Sequence, residues 1–244
     1  MKIALITVSD EVFNDIAELT LPSMLRYADL WDLEFISLPP EANGRPTSWY
    51  KIKRILEVLR SGFDYCLYLD TDAMFVRFDE DIREHLTDNK DLYLCRQYPN
   101  KYHSTSYFNS GVMVWRKCAW SIDFLDEIWR QTEFINHHWW EQAAMLKLLG
   151  FQSALGQGTD RLDSDAMEHV KELSQDWNSI PILTVAANPI IRHFAMCSNR
   201  VRLEAIKREI ALQSIFQTLS LEMRQELTHV LDLTVDQARW PNSG

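Results

Sequence analysis

Hydrophobic and polar positions alternate in two textures along the first seventy residues. Lys2 to Val8, Leu33 to Leu38 and Asp64 to Leu69 are short, dense apolar runs that read as buried strands. Between them, Asp15 to Ala28 reads as a helix, and Ser48 is expected to cap a second helix. Trp49, Ile52, Ile55, Leu56 and Leu59 would share one face of that second helix, and Gly62 would end it. This β-α-β-α-β order predicts an α/β fold, a mostly parallel sheet flanked by helices, with ligands at the carboxyl ends of the strands. Further on, Leu92–Cys95 and Gly111–Trp115 are expected strands, and Trp120–Trp129 and Trp140–Leu149 expected helices. Residues 152–180 are polar and carry Gly156 and Gly158, so they read as an irregular, mobile connection. Ile182–Val185 and Ile190–Ala195 are expected as short strands. From Asn199 to about Val235 the pattern turns helical, with Leu203, Ile206 and Ile210 on one stripe. The division that follows is a domain over residues 1–198 and a helical C-terminal extension over 199–244 packed on it.

Composition narrows the class. An apolar fraction of 46%, with nine Trp, eight Tyr and eleven Phe among 244 residues, is ample for a packed core. A net charge of −10 without a basic block argues against nucleic acid as a partner. The longest apolar runs fall short of the roughly 20 residues that span a bilayer, so no transmembrane segment is expected. The opening Met1–Val8 meets Asp10 and Glu11 soon after its apolar run, as a strand does and a signal peptide does not. Cys66, Cys95, Cys118 and Cys197 show no CxxC spacing and read as reduced core thiols of a cytosolic protein.

The densest chemical signal is Tyr68-Leu69-Asp70-Thr71-Asp72, where the third strand reaches the surface. In extended backbone, residues two apart point to the same side, so Asp70 and Asp72 would converge while Thr71 turns away. Two carboxylates that close need a cation between them, or a proton. Mn²⁺ and Mg²⁺ take oxygen ligands and commonly share them with substrate phosphates. No GxxxxGK[ST] loop is present, and no GxGxxG follows the first strand, which leaves the metal as the expected holder of a nucleotide diphosphate. Haloacid-dehalogenase-type phosphatases also use D-x-D, but on the first strand and with Thr or Val where this chain has Met74.

Three later signals can also be read as purely structural. Asn109-Ser110-Gly111 ahead of an apolar run suggests a tight turn; functionally, Asn109 and the Gly111 backbone would line a sugar pocket. Trp139-Trp140-Glu141-Gln142 at a helix start offers aromatic faces beside a carboxylate and an amide, a set that suits carbohydrate. His193 ends an apolar strand, a position more often filled by a hydrogen-bonded core histidine. His137-His138 reads as a surface pair.

In this order and spacing the four signals resemble the GT-A nucleotide-sugar glycosyltransferases, whose fold is Rossmann-like. Asn109-Ser110-Gly111 followed by Arg116 to Asp126, then Glu141-Gln142 and His193-Phe194-Ala195-Met196-Cys197, look particularly like the galactosyl/xylosyltransferase family (family 34) over about residues 1–200. The resemblance implies Asp70, Asp72 and His193 as ligands of Mn²⁺ or Mg²⁺, with Asp70 also at the diphosphate. It places Asn109, Glu141 and Gln142 around the donor sugar as catalytic candidates, and Thr7, Val8, Lys51 and Gly111 on the donor nucleotide. The activity implied is metal-dependent, retaining transfer of a hexose or pentose, as by a galactosyltransferase, from a UDP-sugar to a hydroxyl of a glycan or glycolipid acceptor. The alternatives are a family 8-like lipopolysaccharide glycosyltransferase and a catalytically silent nucleotide-sugar binder on the same scaffold. The expected location is cytoplasmic, with a peripheral place at the inner membrane as its variant. A homo-oligomer through the C-terminal helices is the remaining partner expectation.

Overall fold

The computed structural model describes residues 1–232 except 41–43, 101–103, 182, 217–218, 221, 224, 228 and 231. In chain order its elements are β1 (Ile3–Val8), α1 (Asn14–Trp31), β2 (Glu34–Leu38), α2 (Tyr50–Arg60), β3 (Tyr65–Leu69) and β4 (Ala73–Phe75). They continue with β5 (Leu92–Gln97), β6 (Tyr107–Arg116), α3 (Ala119–Arg130), α4 (Trp140–Leu148), α5 (Asp165–Glu168), β7 (Val170–Leu173), β8 (Ile191–His193) and α6 (Asn199–Phe216). Six strands form one sheet in the order β2-β1-β3-β6-β5-β7, and β4 pairs with β8 in a second, two-stranded sheet. In the main sheet only β6 runs against the others, so the mostly parallel sheet expected from the alternating pattern is the one found.

Side chains of the central strands divide by parity. Ile3 and Leu5 of β1 join Tyr65, Leu67 and Leu69 of β3 in one apolar cluster; Ala4, Ile6, Cys66 and Tyr68 join the cluster on the other face. Both faces are therefore buried, which is why these strands read as continuous apolar runs. All five residues assigned to the apolar face of α2 are buried.

Several expectations change. Ser48 caps no helix: Thr47–Trp49 forms a 3₁₀ turn after Pro46, without a side-chain cap, and α2 continues from it. Asn109-Ser110-Gly111 is no tight turn but lies inside β6, where a register shift at Leu94/Cys95 of β5 absorbs the irregularity. Asp70 to Ala73 is a turn rather than extended strand, closed by the Ala73 amide donating to the Asp70 carbonyl at 2.9 Å. Residues 152–164 are mainly turns and bends, as expected, but 165–180 are not irregular. They include α5, the edge strand β7 and a 3₁₀ segment, Gln175–Asn178, whose Trp177 and Asn178 are buried. Ile182–Val185 makes no strand; Thr184 forms a single bridge to Ile180, and residue 182 is outside the described set. Among the described residues no disulfide forms, and Cys118 and Cys197 are only half-buried.

The C-terminal stripe is also shifted from expectation. Val201, Ala205 and Ile206 of α6 pack with Ile16, Met74 and Phe194, while Ile210 is 38% exposed. Among the described residues no helix is long and apolar enough to cross a membrane.

Candidate active site

The site forms where three strands bring their ends together. β1 and β3 end side by side at Val8 and Leu69, and β6 enters from the opposite direction, so that the Asp70 amide donates to the Gly111 carbonyl at 2.8 Å. The turn after β3 then feeds β4, whose Ala73 pairs with His193 of β8. This short antiparallel pair carries His193, more than a hundred residues along the chain, to the two aspartates. The Phe194 amide donates to the Asp72 carbonyl at 2.9 Å and fixes the register.

His193 Nε2 lies 3.3 Å from Asp72 Oδ1 and 3.7 Å from Asp70 Oδ2. One ligand atom from each of the three residues falls within 4.8 Å of the others. Thr71 turns away as expected, its hydroxyl donating to the Val8 carbonyl at 2.9 Å. Two carboxylate oxygens and one imidazole nitrogen, all aimed at one point, suit a hard divalent cation. The ring sits tightly: a Cβ added at Gly111 would lie 2.0 Å from His193 Cε1. Gly111 is thus open because the imidazole occupies the space, and it stands behind the ring rather than on the cavity wall.

Protein cations flank the acidic pair. Lys51 is buried and reaches Asp70 Oδ1 at 2.6 Å and Glu141 Oε1 at 3.0 Å. Burial alone would lower the ammonium's pKa, but the two carboxylates overcome it and hold the charge firmly. Lys51 therefore meets the cavity beside Asp70 and Glu141. Tyr68, kept protonated first by burial and then by the Asp70 charge, donates to Asp70 at 2.8 Å. Arg202 of α6 donates from Nε toward Asp72 Oδ2 at 2.9 Å and to the Phe194 carbonyl at 2.9 Å. Burial pushes the Asp72 carboxyl up, yet His193, when its ring is charged, and Arg202 outweigh it and hold the group well below the usual carboxylate range.

Glu141 and Gln142 open α4 and face β6. Ser110 Oγ donates to Glu141 Oε1 at 2.9 Å, and the Ser110 amide donates to Gln142 Oε1 at 3.0 Å. Asn109 Nδ2 also donates to Gln142 Oε1, at 3.1 Å. Glu141 is 2% exposed; burial raises its carboxyl against the pull of Lys51, and its Oε2 finds no partner among the described residues.

These groups border one cavity of about 630 Å³, within the usual size of ligand pockets. Its wall brings together Val8, Lys51, Asp70, Asp72, Asn109, Glu141, Gln142 and His193 of the residues singled out from sequence. Thr7 is not on the wall; it is buried behind it, its hydroxyl 3.5 Å from that of Thr71. The paired tryptophans have separate roles. Trp139 stacks on Tyr107 at 4.8 Å, whereas Trp140 has a left-handed backbone (φ 44) and is 43% exposed at the cavity rim.

Four groups escaped sequence reasoning. Arg202 looked like an ordinary helix-face cation, and Asn178, whose Oδ1 lies 3.0 Å from His193 Nδ1, lies in the polar stretch read as irregular. Also on the cavity wall, Asp10 accepts from Thr47 Oγ1 at 2.5 Å, and the buried hydroxyl of Ser48 has no partner among the described residues. Asp10 also caps the 3₁₀ turn Glu11–Phe13, accepting from the Val12 amide at 3.1 Å, and an Asp just after the first strand was the available signal.

Comparison with known proteins places the chain in a family. The family model for nucleotide-diphospho-sugar transferases matches residues 37–202, more than half of the chain. No curated protein sequence matches it. Among solved structures, a glycosyltransferase involved in glycosylation of the major capsid of PBCV-1 is similar with a TM-score of 0.62 and 13% identity, over 85% of this chain and 100% of that one. An active-site mutant of LgtC is similar with a TM-score of 0.56 and 12% identity, over 85% of this chain and 95% of that one. The galactosyltransferase LgtC in complex with donor and acceptor sugar analogs gives 0.50 and 11%, over 91% and 99%. At such identities the structural likeness shows the shared GT-A fold, and the family match carries the assignment: the chain belongs to the nucleotide-diphospho-sugar transferase family and is a glycosyltransferase.

Proposed function

We propose that this enzyme transfers a hexose or pentose from a UDP-sugar to an acceptor hydroxyl of a glycan, with retention of anomeric configuration and dependence on Mn²⁺ or Mg²⁺. The observation that carries the proposal is the convergence of Asp70, Asp72 and His193 on one point of the cavity wall. Asp70, Asp72 and His193 would hold a divalent cation, whose positive charge would stabilise the departing diphosphate. The chain's own residues do the rest. Arg202, beside Asp72 on the same wall, adds a guanidinium to the diphosphate end. Val8, Asp10 and Ser48, on the same cavity wall, are the residues we assign to the nucleoside.

Gln142 is oriented by the Ser110 amide, which takes Oε1 and leaves Nε2 without a partner among the described residues. That Nε2 and Asn109 are the polar contacts for the donor sugar. Glu141 is committed through Oε1 to Lys51 and Ser110 and shielded from solvent, which disfavours it as nucleophile of a covalent intermediate. Same-face attack, with the diphosphate leaving as the acceptor enters, is the route this geometry favours. The exposed indole of Trp140 gives a sugar ring an apolar face to stack on.

The test is UDP-sugar hydrolysis and transfer with and without Mn²⁺. Asp72→Asn is expected to lose at least roughly 100-fold in the metal-dependent rate, the scale of removing one transition-state charge contact. Full metal-dependent turnover by that variant overturns the metal assignment.

A further inference from the structure

The amides around His193 form a chain whose polarity is set by backbone. The Gly111 N–H donates to Asn109 Oδ1 at 2.9 Å, so that atom must be the oxygen. The Ser110 N–H and Asn109 Nδ2 both meet Gln142 Oε1, which independently fixes Asn109 in the same sense. Asn178 Nδ2 donates to Asn109 Oδ1 at 2.9 Å, which turns Asn178 Oδ1 toward His193 Nδ1 at 3.0 Å. An oxygen acceptor at Nδ1 requires the hydrogen to be there. Reversing either amide would set donor against donor or oxygen against oxygen in a buried network.

We infer that Asn178 is a positioning residue that locks His193 as the Nδ1–H tautomer, so that Nε2 offers its lone pair to the point where Asp70 and Asp72 converge. The inference rests on the proposed metal site for its purpose, but the tautomer itself is a property of the metal-free protein. Without the lock, the Nε2–H form has a ready partner in Asp72 Oδ1, 3.3 Å away. A hydrogen would then sit where the cation must bind. Ligating histidines are commonly held in this way by an acceptor on the other ring nitrogen, and losing it costs affinity rather than the ligand itself. Asn178 works through His193 and is not on the cavity wall.

The experiment is ¹⁵N NMR of the histidine rings in the metal-free protein at alkaline pH, with His193 assigned by the loss of its signals in His193→Gln. Wild type is expected to show the Nδ1–H tautomer at His193; an Nε2–H ring there overturns the inference without any further variant. Asn178→Val, close in shape but lacking the acceptor, is expected to switch the ring to Nε2–H. Asn178→Asp keeps an acceptor toward Nδ1 and is expected to keep the wild-type tautomer, which a merely structural role for Asn178 does not predict. Mn²⁺ affinity, read by electron paramagnetic resonance, is expected to fall roughly 10- to 100-fold in Asn178→Val. An unchanged tautomer or an unchanged affinity in that variant contradicts the inference. Absence of Mn²⁺ binding in wild type would count against the proposed metal site alone, because the tautomer is read in metal-free protein and still decides the inference.

Discussion

At the scale of single residues, the site is a balance of buried charges. Lys51 sits between Asp70 and Glu141, and no other described cation is placed to replace it at Glu141. Removing one partner of a buried ionic cluster leaves uncompensated charge, which costs about 3–5 kcal/mol. Lys51→Met is therefore expected to lose stability on that scale in urea denaturation, and adding Glu141→Gln is expected to recover part of it. A Lys51→Met protein as stable as wild type contradicts the picture. The carboxylates and His193 could be singled out from sequence because their chemistry is concentrated in short motifs. Asn178 and Arg202 could not: each acts through a contact across the fold, and neither sits in a local pattern that signals it. Gly111 was noticed for a different reason than the one found, since nothing in sequence shows that an imidazole fills the space beside it.

At the scale of elements, the strands with both faces buried were legible, and the edge was not. β7 reads Val-Lys-Glu-Leu, with its two middle residues exposed, so it lacks the apolar run that betrays a central strand. Its place is held by Asp91, just before β5, which accepts from Arg116 of β6 and contacts His169 Nδ1 at 2.5 Å at the start of β7. Burial raises the Asp91 carboxyl, but His169, Cys118 and Arg116 together bring it below its ordinary value of 3.8. A carboxyl lowered in the folded state adds stability above its unfolded pKa and loses it as pH falls through the folded one. The stability gap between wild type and Asp91→Asn is thus expected to be full near neutrality and to close as pH drops below 3.8. Denaturant titrations across that range check it, and a pH-independent gap contradicts it. Likewise β4 is too short to stand out as a strand, and although β8 falls within the strand expected over Ile190–Ala195, nothing in the sequence shows that the two pair. Yet their pairing, not the D-x-D spacing alone, is what brings His193 to Asp70 and Asp72.

At the scale of the whole molecule, the C-terminal helix is part of the site rather than an appendage to it. Its first turn supplies Arg202 to Asp72, and further along Glu209 lies 3.5 Å from Arg192, the neighbour of His193 on β8. Asp232 meets the same guanidinium at 3.2 Å, and all three groups are buried. Burial raises the Glu209 carboxyl even against Arg192, so the cluster depends on that one cation. Arg192→Met is expected to cost about 3–5 kcal/mol in denaturant stability. A loss below 1 kcal/mol would show that α6 and Asp232 are not tied to β8 in this way. The helical character of this region was readable in the sequence, but its seam was not: two of the groups α6 buries, Arg202 and Glu209, are charged.

The central claim is that the cavity binds a nucleotide sugar through a cation held by Asp70, Asp72 and His193. A thermal-shift panel of UDP-, GDP- and ADP-sugars, each with and without Mn²⁺, tests it most directly. Ligand at 100 times its Kd stabilises by about 2.7 kcal/mol, which for a chain of this size is roughly 5–10 °C. The account expects that shift from a UDP-sugar with Mn²⁺ and almost none without it. Equal shifts with and without the metal, or none from any UDP-sugar, would contradict it.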